Sequence, residues 1–526
     1  MSPRTDTRRR SRRWGPALLL VVGLLATACG TGGQAAGGGE AGEPQRGGTL
    51  RVVHALNPSS LDPHTGGSGG DHVSLYPIYD TLVDFDKATM EPAPGLAESW
   101  EFVEDPPALV FTLRPGVQFH DGTPFDAEAV RYNIERAKNL DRSTVAADVA
   151  TVESVEVLSD LEVRLNLSRM NTALPLILAD RAGMMVSPTA AEERGAELES
   201  NPVGAGAYRF VSWRPGDTLQ VERFEDYWRP DQPYLDGITI RYLEDPQTAI
   251  NALVSDQADF MTAVDPADLE RVERSPGIEV TEGGGLAFDS LYYNMAEPPF
   301  DDPRVRLAFS LAIDREAMLQ ALNFGTGEVG WQPVPSVHWA YQPELSPTFP
   351  HDPARARQLL AEAGYPDGVP VNGLAYSGER QVRKAEIVRQ QVAAAGFDMT
   401  IQVLEVGVAV EEFYEKEAFQ VFVSAWSGRP DPNLTYQSLF TDDSFYVVGE
   451  SGVSPQVLDL LAQASSVEGT EERAQVYLPL TDLVMQNAIN VPLVFTPNIA
   501  AGQSGVHGYV PSLLGKPKFD GMWIEQ

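Results

Sequence analysis

Val371-Asn-Gly-Leu-Ala-Tyr376, Asp398-Met-Thr-Ile-Gln-Val-Leu-Glu-Val406 and Gln420-Val-Phe-Val-Ser-Ala425 are three strand-like runs separated by two helical ones. Between the first two, Ala385, Val388, Val392 and Ala395 fall on one helical face, and Gly396 ends the run. A shorter helix is expected near Glu411 to Ala418, ahead of the third strand. Strand, helix, strand, helix, strand predicts a mainly parallel sheet with crossover helices, hence an α/β fold. Ligands of such sheets collect beyond the carboxyl ends of the strands. The residues just past the third strand are Trp426-Ser-Gly-Arg429-Pro-Asp431-Pro-Asn433. An aromatic face and two opposite charges at that place make Trp426, Arg429 and Asp431 candidate ligand contacts. The bland alternative is a surface turn with a solvated Arg–Asp pair.

The same grammar extends outward. Thr49-Leu-Arg-Val-Val53 opens the ordered body with a strand, and Glu162–Leu167 and Gly237–Tyr242 alternate as half-buried strands do. Val110–Leu113 and Val117–Phe119 flank Arg114-Pro-Gly116, which suggests a hairpin. Asp126 caps a helix whose face is Ala127, Val130, Ile134 and Ala137. Asp352 caps another, with Pro353 in its first turn, Ala356, Leu359, Leu360 and Ala363 as its stripe, and Gly364 as its stop.

At 526 residues the chain is long enough for two or three lobes, and its 43% hydrophobic content is that of a globular protein. A formal net charge of −35 argues against nucleic acid and against electrostatic binding to an anionic membrane. The single cysteine, Cys29, leaves no possibility of an internal disulfide or a cysteine metal site. It follows a basic start (Arg4 to Arg13), a short apolar run from Pro16 and the small residues Ala26-Thr-Ala28. That order is a secretory signal, too short to span a bilayer comfortably. Leu25-Ala-Thr-Ala-Cys29 resembles a bacterial lipobox, with Ala26 where Leu is usual, which implies cleavage before Cys29 and lipid on its thiol. The Gly-rich stretch from Gly30 to Gly48 then reads as a flexible tether.

Catalytic constellations are missing. The seven histidines show neither i, i+4 nor other metal-ligand spacing, and no Gly-Lys-Ser/Thr phosphate loop exists. Gly66-Gly-Ser-Gly-Gly70 matches a nucleophile elbow only formally, since no strong strand precedes it. No metal, no cofactor and no catalytic residue is expected.

From residue 47 onward the chain resembles the peptide, dipeptide and nickel class (family 5) of ABC-importer solute-binding proteins. Leu61-Asp-Pro63, Ile78–Val83, Glu91–Trp100, Phe111–Phe125, Pro202–Tyr208, Tyr227-Trp228, Pro303–Ala308 and Ala312–Arg315 carry the resemblance in order. It implies a two-lobed periplasmic-binding-protein-like fold with an additional subdomain and a ligand cleft between lobes. The implied layout is 1–28 signal peptide, 29–46 lipidated cysteine and tether, and 47–85 with 200–285 and 495–526 as lobe I. Residues 86–199 form the extra subdomain and 286–494 lobe II. In peptide-binding relatives an acid in the stretch matching Trp426–Pro432 meets the ligand's amine; here that place holds Arg429, which favours a carboxylate or another anion. Asp431 would serve an amine or hold Arg429. Tyr293 and Asn294 match a segment near the cleft, though a core tyrosine is an equal alternative, and Trp331 is a further candidate.

The expected role is the solute-binding subunit of an ABC importer, monomeric and anchored to the membrane by lipidated Cys29. It would capture peptides or peptide-like solutes for the permease subunits. The alternatives are a non-peptide anionic solute or oligosaccharide, an exported hydrolase on a similar scaffold, or a sensor or chaperone.

Overall fold

A computed structural model describes residues 43–526; the signal segment, Cys29 and most of the tether lie outside them. The fold-deciding segment forms strands Val369–Tyr376, Phe397–Leu404 and Val421–Trp426, with helix Glu379–Ala393 between the first two. Both neighbours of the first strand pair with it in parallel. Ala385, Val388, Val392 and Ala395 are all buried against the sheet, as the period requires. The shorter helix starts earlier than expected, at Val406–Val410, and runs into a wider turn at Glu411–Glu415.

The sheet is parallel only in that half. Its full order is 328–329, 490–495, 288–293, 421–426, 369–376, 397–404, and the pairings from 421–426 toward the far edge are antiparallel. This sheet and its helices make lobe II. Leu291 has no exposed surface in its core, and truncation of such a leucine to alanine typically costs about 2–5 kcal/mol.

Lobe I is built on a seven-stranded sheet in the order 278–283, 498–503, 260–261, 49–54, 237–242, 218–223, 208–214. A separate antiparallel sheet of four strands, 97–104, 107–113, 162–167 and 152–159, forms the additional subdomain. The expected hairpin at Arg114-Pro-Gly116 is not a ladder. Pro107–Leu113 pairs instead with Ala97–Glu104 and Glu162–Leu167. Residues 117–125 close on themselves, with Phe119 N–H donating to Thr123 O and Phe125 N–H to Val117 O.

Two paths, each of two successive strands, join the lobes. Ile278–Gly283 continues through 284–287 into Phe288–Tyr293, and Asn490–Phe495 returns through 496–497 into Asn498–Gln503. The two paths pair on both sides and touch between, where Thr496 N–H donates to Ala287 O at 2.9 Å. A Cβ at Gly285 would stand 2.4 Å from Thr496 O, so the crossing leaves no room for a side chain there.

Helix starts follow one local rule. Asp245, Asp265, Asp302, Asp352 and Asp431 each accept a backbone N–H of the turn that follows, and each is followed by proline. The aspartate satisfies an orphan donor, and the proline occupies a position that needs none.

Candidate binding cleft

The loop beyond strand Val421–Trp426 faces a cavity of about 550 Å³ between the lobes. Gly428 turns the loop at φ +77°, and a Cβ there would stand 2.4 Å from Leu286 Cβ. Glycine therefore lets the loop lie directly on the crossing segment. Arg429 lines the cavity with its guanidinium carbon 4.5 Å above the centre of the Trp426 ring. One of its nitrogens donates to Ser427 Oγ at 3.0 Å and Gly428 O at 2.9 Å. Trp426 is fixed in turn by donation from Nε1 to Thr435 Oγ1 at 3.2 Å and by an edge contact with Tyr446 at 5.2 Å. Stacking and hydrogen bonding thus hold the guanidinium flat.

The facing wall comes from lobe I and the subdomain, with His72, Asp148, Asp180, Arg181 and Lys516. Lys516 Nζ donates to Asp180 Oδ2 at 2.9 Å, and His72 Nε2 meets Asp180 Oδ1 in a close contact. Burial opposes the charge of Asp180, but His72 and Lys516 outweigh it and hold this carboxyl well below the usual range. Burial pushes His72 down, and Asp180 pulls it partly back up. Asp148 behaves oppositely: burial, then the charge of Asp180, lifts it to about 6 against the pull of Arg181, Arg429 and Lys516. Arg181 lies 3.8 Å from Asp71, and its Nη1 has no hydrogen-bond partner among the described residues. Arg181, Arg429 and Lys516, the last lowered by burial, thus face Asp180 and Asp148 inside a protein of net charge −35. Such a lining attracts an anionic group.

A second inter-lobe cavity, about 500 Å³, is lined by His54, Thr262, Asp265, Asp289, Arg380 and Ala425 among others, and shares Gly515 with the first. Asp289 is buried and accepts from Lys384 at 2.7 Å and Arg380 at 2.9 Å, so its charge is already matched.

Of the residues singled out in the sequence, only Arg429 lines the first cavity. Trp426 supports it from beneath. Asp431 has no exposed surface; its oxygens accept from Arg473 at 2.8 Å each, so Arg473 and not Arg429 is its partner. Tyr293 is packed in the lobe II core, stacked on Phe300 at 4.8 Å. Asn294 donates to Glu417 O and accepts from Ala296 N–H, which shapes a turn. Trp331 is half-buried beside Arg315 and lines neither cavity. Sequence reasoning passed over His72, Asp148, Asp180, Arg181, Tyr446 and Lys516. One cue was available: Asp180-Arg181 directly follows the apolar run Leu174-Pro-Leu-Ile-Leu-Ala179, an odd place for a charge pair.

Two α/β lobes joined by paired strands, with charged cavities between them, define a two-lobed solute-binding protein. The model of the bacterial extracellular solute-binding proteins, family 5 Middle, matches residues 91–446, and the chain belongs to this family. The glutathione-binding protein GsiB of Shigella flexneri is 30% identical over 479 residues, covering 87% of this chain and 91% of that protein. GsiB of Pectobacterium atrosepticum is 28% identical over 461 residues, covering 86% and 89%. Among solved structures, the ABC transporter-associated periplasmic binding protein DppA from Helicobacter pylori, in complex with the peptide STSA, superimposes with a TM-score of 0.77 at 26% identity. It covers 92% of this chain and 99% of that one. The substrate-binding protein CtaP from Listeria monocytogenes gives 0.81 at 19% identity, over 92% and 100%, a likeness of fold. The chain is the extracytoplasmic solute-binding component of an ABC importer. Among its described residues no helix is long and apolar enough to cross a membrane.

Proposed function

We propose that this protein captures a peptide or peptide-like solute bearing an anionic group, that Arg429 reads that group, and that the cargo passes unchanged to the permease. Arg429 carries the proposal. It is presented flat over Trp426 at the wall of an inter-lobe cavity whose other cations are Arg181 and Lys516. A planar guanidinium matches a carboxylate with two parallel hydrogen bonds. The names of the GsiB relatives support a small acidic peptide, since glutathione is a tripeptide with two carboxylates. Asp148 suits the amine of the same ligand, because a nearby ammonium restores the charge that burial disfavours. The protein acts as a monomer, held to the outer face of the membrane by lipid on Cys29.

A second reading, a non-peptide anionic solute, draws on Asp431. Its engagement by Arg473 leaves the ligand loop without a free acid for a peptide amine.

Thermal unfolding of the body Pro44–Gln526 separates the two. The panel is glutathione, glutamate-containing and neutral tripeptides, opines and oligosaccharides. A ligand at about a thousand times its Kd adds about 4 kcal/mol and raises the midpoint by a few degrees. A rise with acidic peptides and none with neutral ones is expected. A rise only with opines or sugars removes peptide from the assignment.

A further inference from the structure

The additional subdomain is fixed to lobe I. Arg136 Nη1 donates to Asp62 Oδ1 at 3.0 Å, Thr144 N–H to His64 O at 2.9 Å and His120 N–H to Gly204 O at 2.9 Å. Yet its turn at Asn171-Thr172 also reaches across to lobe II. Thr172 N–H donates to Ser465 O at 2.8 Å, and Thr172 Oγ1 donates to Ala464 O at 3.1 Å. These carbonyls end helix Ser454–Ala464, where the last carbonyls of a helix lack partners of their own.

Arg473 stands behind this contact, 4% exposed. Its two terminal nitrogens donate to the carboxylate of Asp431 at 2.8 Å each, and its Nε donates to Ala464 O at 3.2 Å. Nη1 also lies 3.5 Å from Thr172 O. Asp431 closes the loop that carries Arg429, two residues away. One guanidinium therefore touches the ligand loop, the end of the lobe II helix and the subdomain turn. The trap does not need such a joint to bend at its crossing strands. What the joint adds is a tie between the loop under the ligand and the surface that meets the subdomain.

We infer that Arg473 is a positioning residue that locks the cleft closed by tying the Asp431 loop to the Asn171-Thr172 turn of the subdomain. Release of the ligand then requires the Thr172 contacts with Ala464 and Ser465 to part. The inference rests on the cleft as the binding site, not on the identity of the cargo.

The test uses the full chain with Cys29→Ser, Thr172→Cys and Ser465→Cys, whose two cysteines are the only pair that can cross-link within the chain. Mild oxidation should join them, and S-methylglutathione, a thiol-free acidic tripeptide, should speed the joining. The oxidised chain should release this probe at least tenfold more slowly than the reduced chain. Thr172→Val, which loses one hydrogen bond, should release it about three- to tenfold faster. Its ligand-free melting midpoint should fall only slightly, so faster release marks the joint, whereas a purely structural role would shift the midpoint and leave release alone. Arg473→Lys should give the same acceleration; should it fail to fold, Thr172→Val and the cross-link still decide. No cross-link, or cross-linked protein that releases the probe at the reduced rate, overturns the inference. Should S-methylglutathione not bind, glutathione-like tripeptides are removed as cargo. The joint is then judged by scattering, where a more compact oxidised chain supports it and equal radii of gyration refute it.

Discussion

Asp148 offers a charge that can be removed by acid or by mutation, with opposite consequences for two classes of ligand. Burial and the neighbouring charge of Asp180 lift it from 3.8 to about 6. A group whose folded value lies above its unfolded value binds its proton more tightly in the folded state. Its destabilising effect is full above about pH 6 and disappears as pH falls toward 4. A lift of that size corresponds to about 3 kcal/mol, and partial exposure trims it to about 2 kcal/mol. Asp148→Asn should therefore raise the urea midpoint of the ligand-free protein at pH 7.5, and by about a third as much near pH 4.5. Comparing variant with wild type at each pH cancels every other titration. In the cavity, Asp180 keeps its charge over this range because His72 and Lys516 hold it low. The loss of one negative charge on acidification from pH 7.5 to 5 should then tighten glutathione about tenfold in the wild type if only its carboxylates face this wall. If its amine sits at Asp148, the sign reverses and acid weakens binding. Asp148→Asn should flatten either slope. An equal effect of Asp148→Asn at both pH values, or an unchanged slope, refutes the placement of this carboxyl as the titrating group of the cleft.

Three further outcomes are expected. Arg429→Ala should weaken an anionic peptide about 10- to 100-fold, the loss of a charge-assisted contact, with little change in melting midpoint; calorimetric titration reads the first and scanning calorimetry the second. Gly428→Ala combines a left-handed backbone with a 2.4 Å approach to Leu286 Cβ, so it should lower stability by at least about 1 kcal/mol and weaken binding as the loop is pushed off the crossing segment. His64 and His338 are buried and neutral, pushed down to about 3. Their folded values lie below the unfolded value, so stability should fall as pH drops below 6.5, by up to about 1.4 kcal/mol per pH unit each; urea midpoints across pH 7 to 4 for His338→Gln against wild type would show a shallower fall.

Elements governed by local rules were legible in the sequence. The helix after Asp352 begins and ends where the cap, proline and Gly364 place it, because each acts within one turn of chain. The parallel half of the lobe II sheet followed from periodicity alone. Its antiparallel half did not, since Phe288–Tyr293 and Asn490–Phe495 are far apart in the chain and both wholly buried, so neither alternates. The site divides along the same line. The position of Arg429 at a cavity wall could be read from the strand end that precedes it, whereas Lys516, Asp180 and His72 meet only through tertiary contacts spanning hundreds of residues. Asp431 is the instructive case. It looked like a ligand group, yet Asp245-Pro246, Asp302-Pro303 and Asp352-Pro353 obey the same cap-and-proline rule. The repeated dipeptide carried the structural alternative in plain view, and only the distant Arg473 completes it.

Two of the three cations of the cavity, Lys516 and Arg429, sit on segments that contact the same crossing residue. Leu286, in the first crossing path, donates its N–H to Leu513 O at 2.8 Å, and Leu513 lies three residues before Lys516. On its other side the same Leu286 sits beneath Gly428, the residue before Arg429, at a separation that admits no Cβ. Lys516 belongs to lobe I and Arg429 to lobe II, so a bend in residues 284–287 changes the spacing between them directly. An anion held by both would favour the bend that brings them together, and a cavity holding only neutral solute would leave the two cations to repel each other. The requirement for glycine at 285 and 428 follows from this geometry, because a side chain at either place would wedge the crossing segment away from its return path or from the ligand loop. If Arg429 and Lys516 hold the anionic group as proposed, charge recognition and closure are linked at this segment.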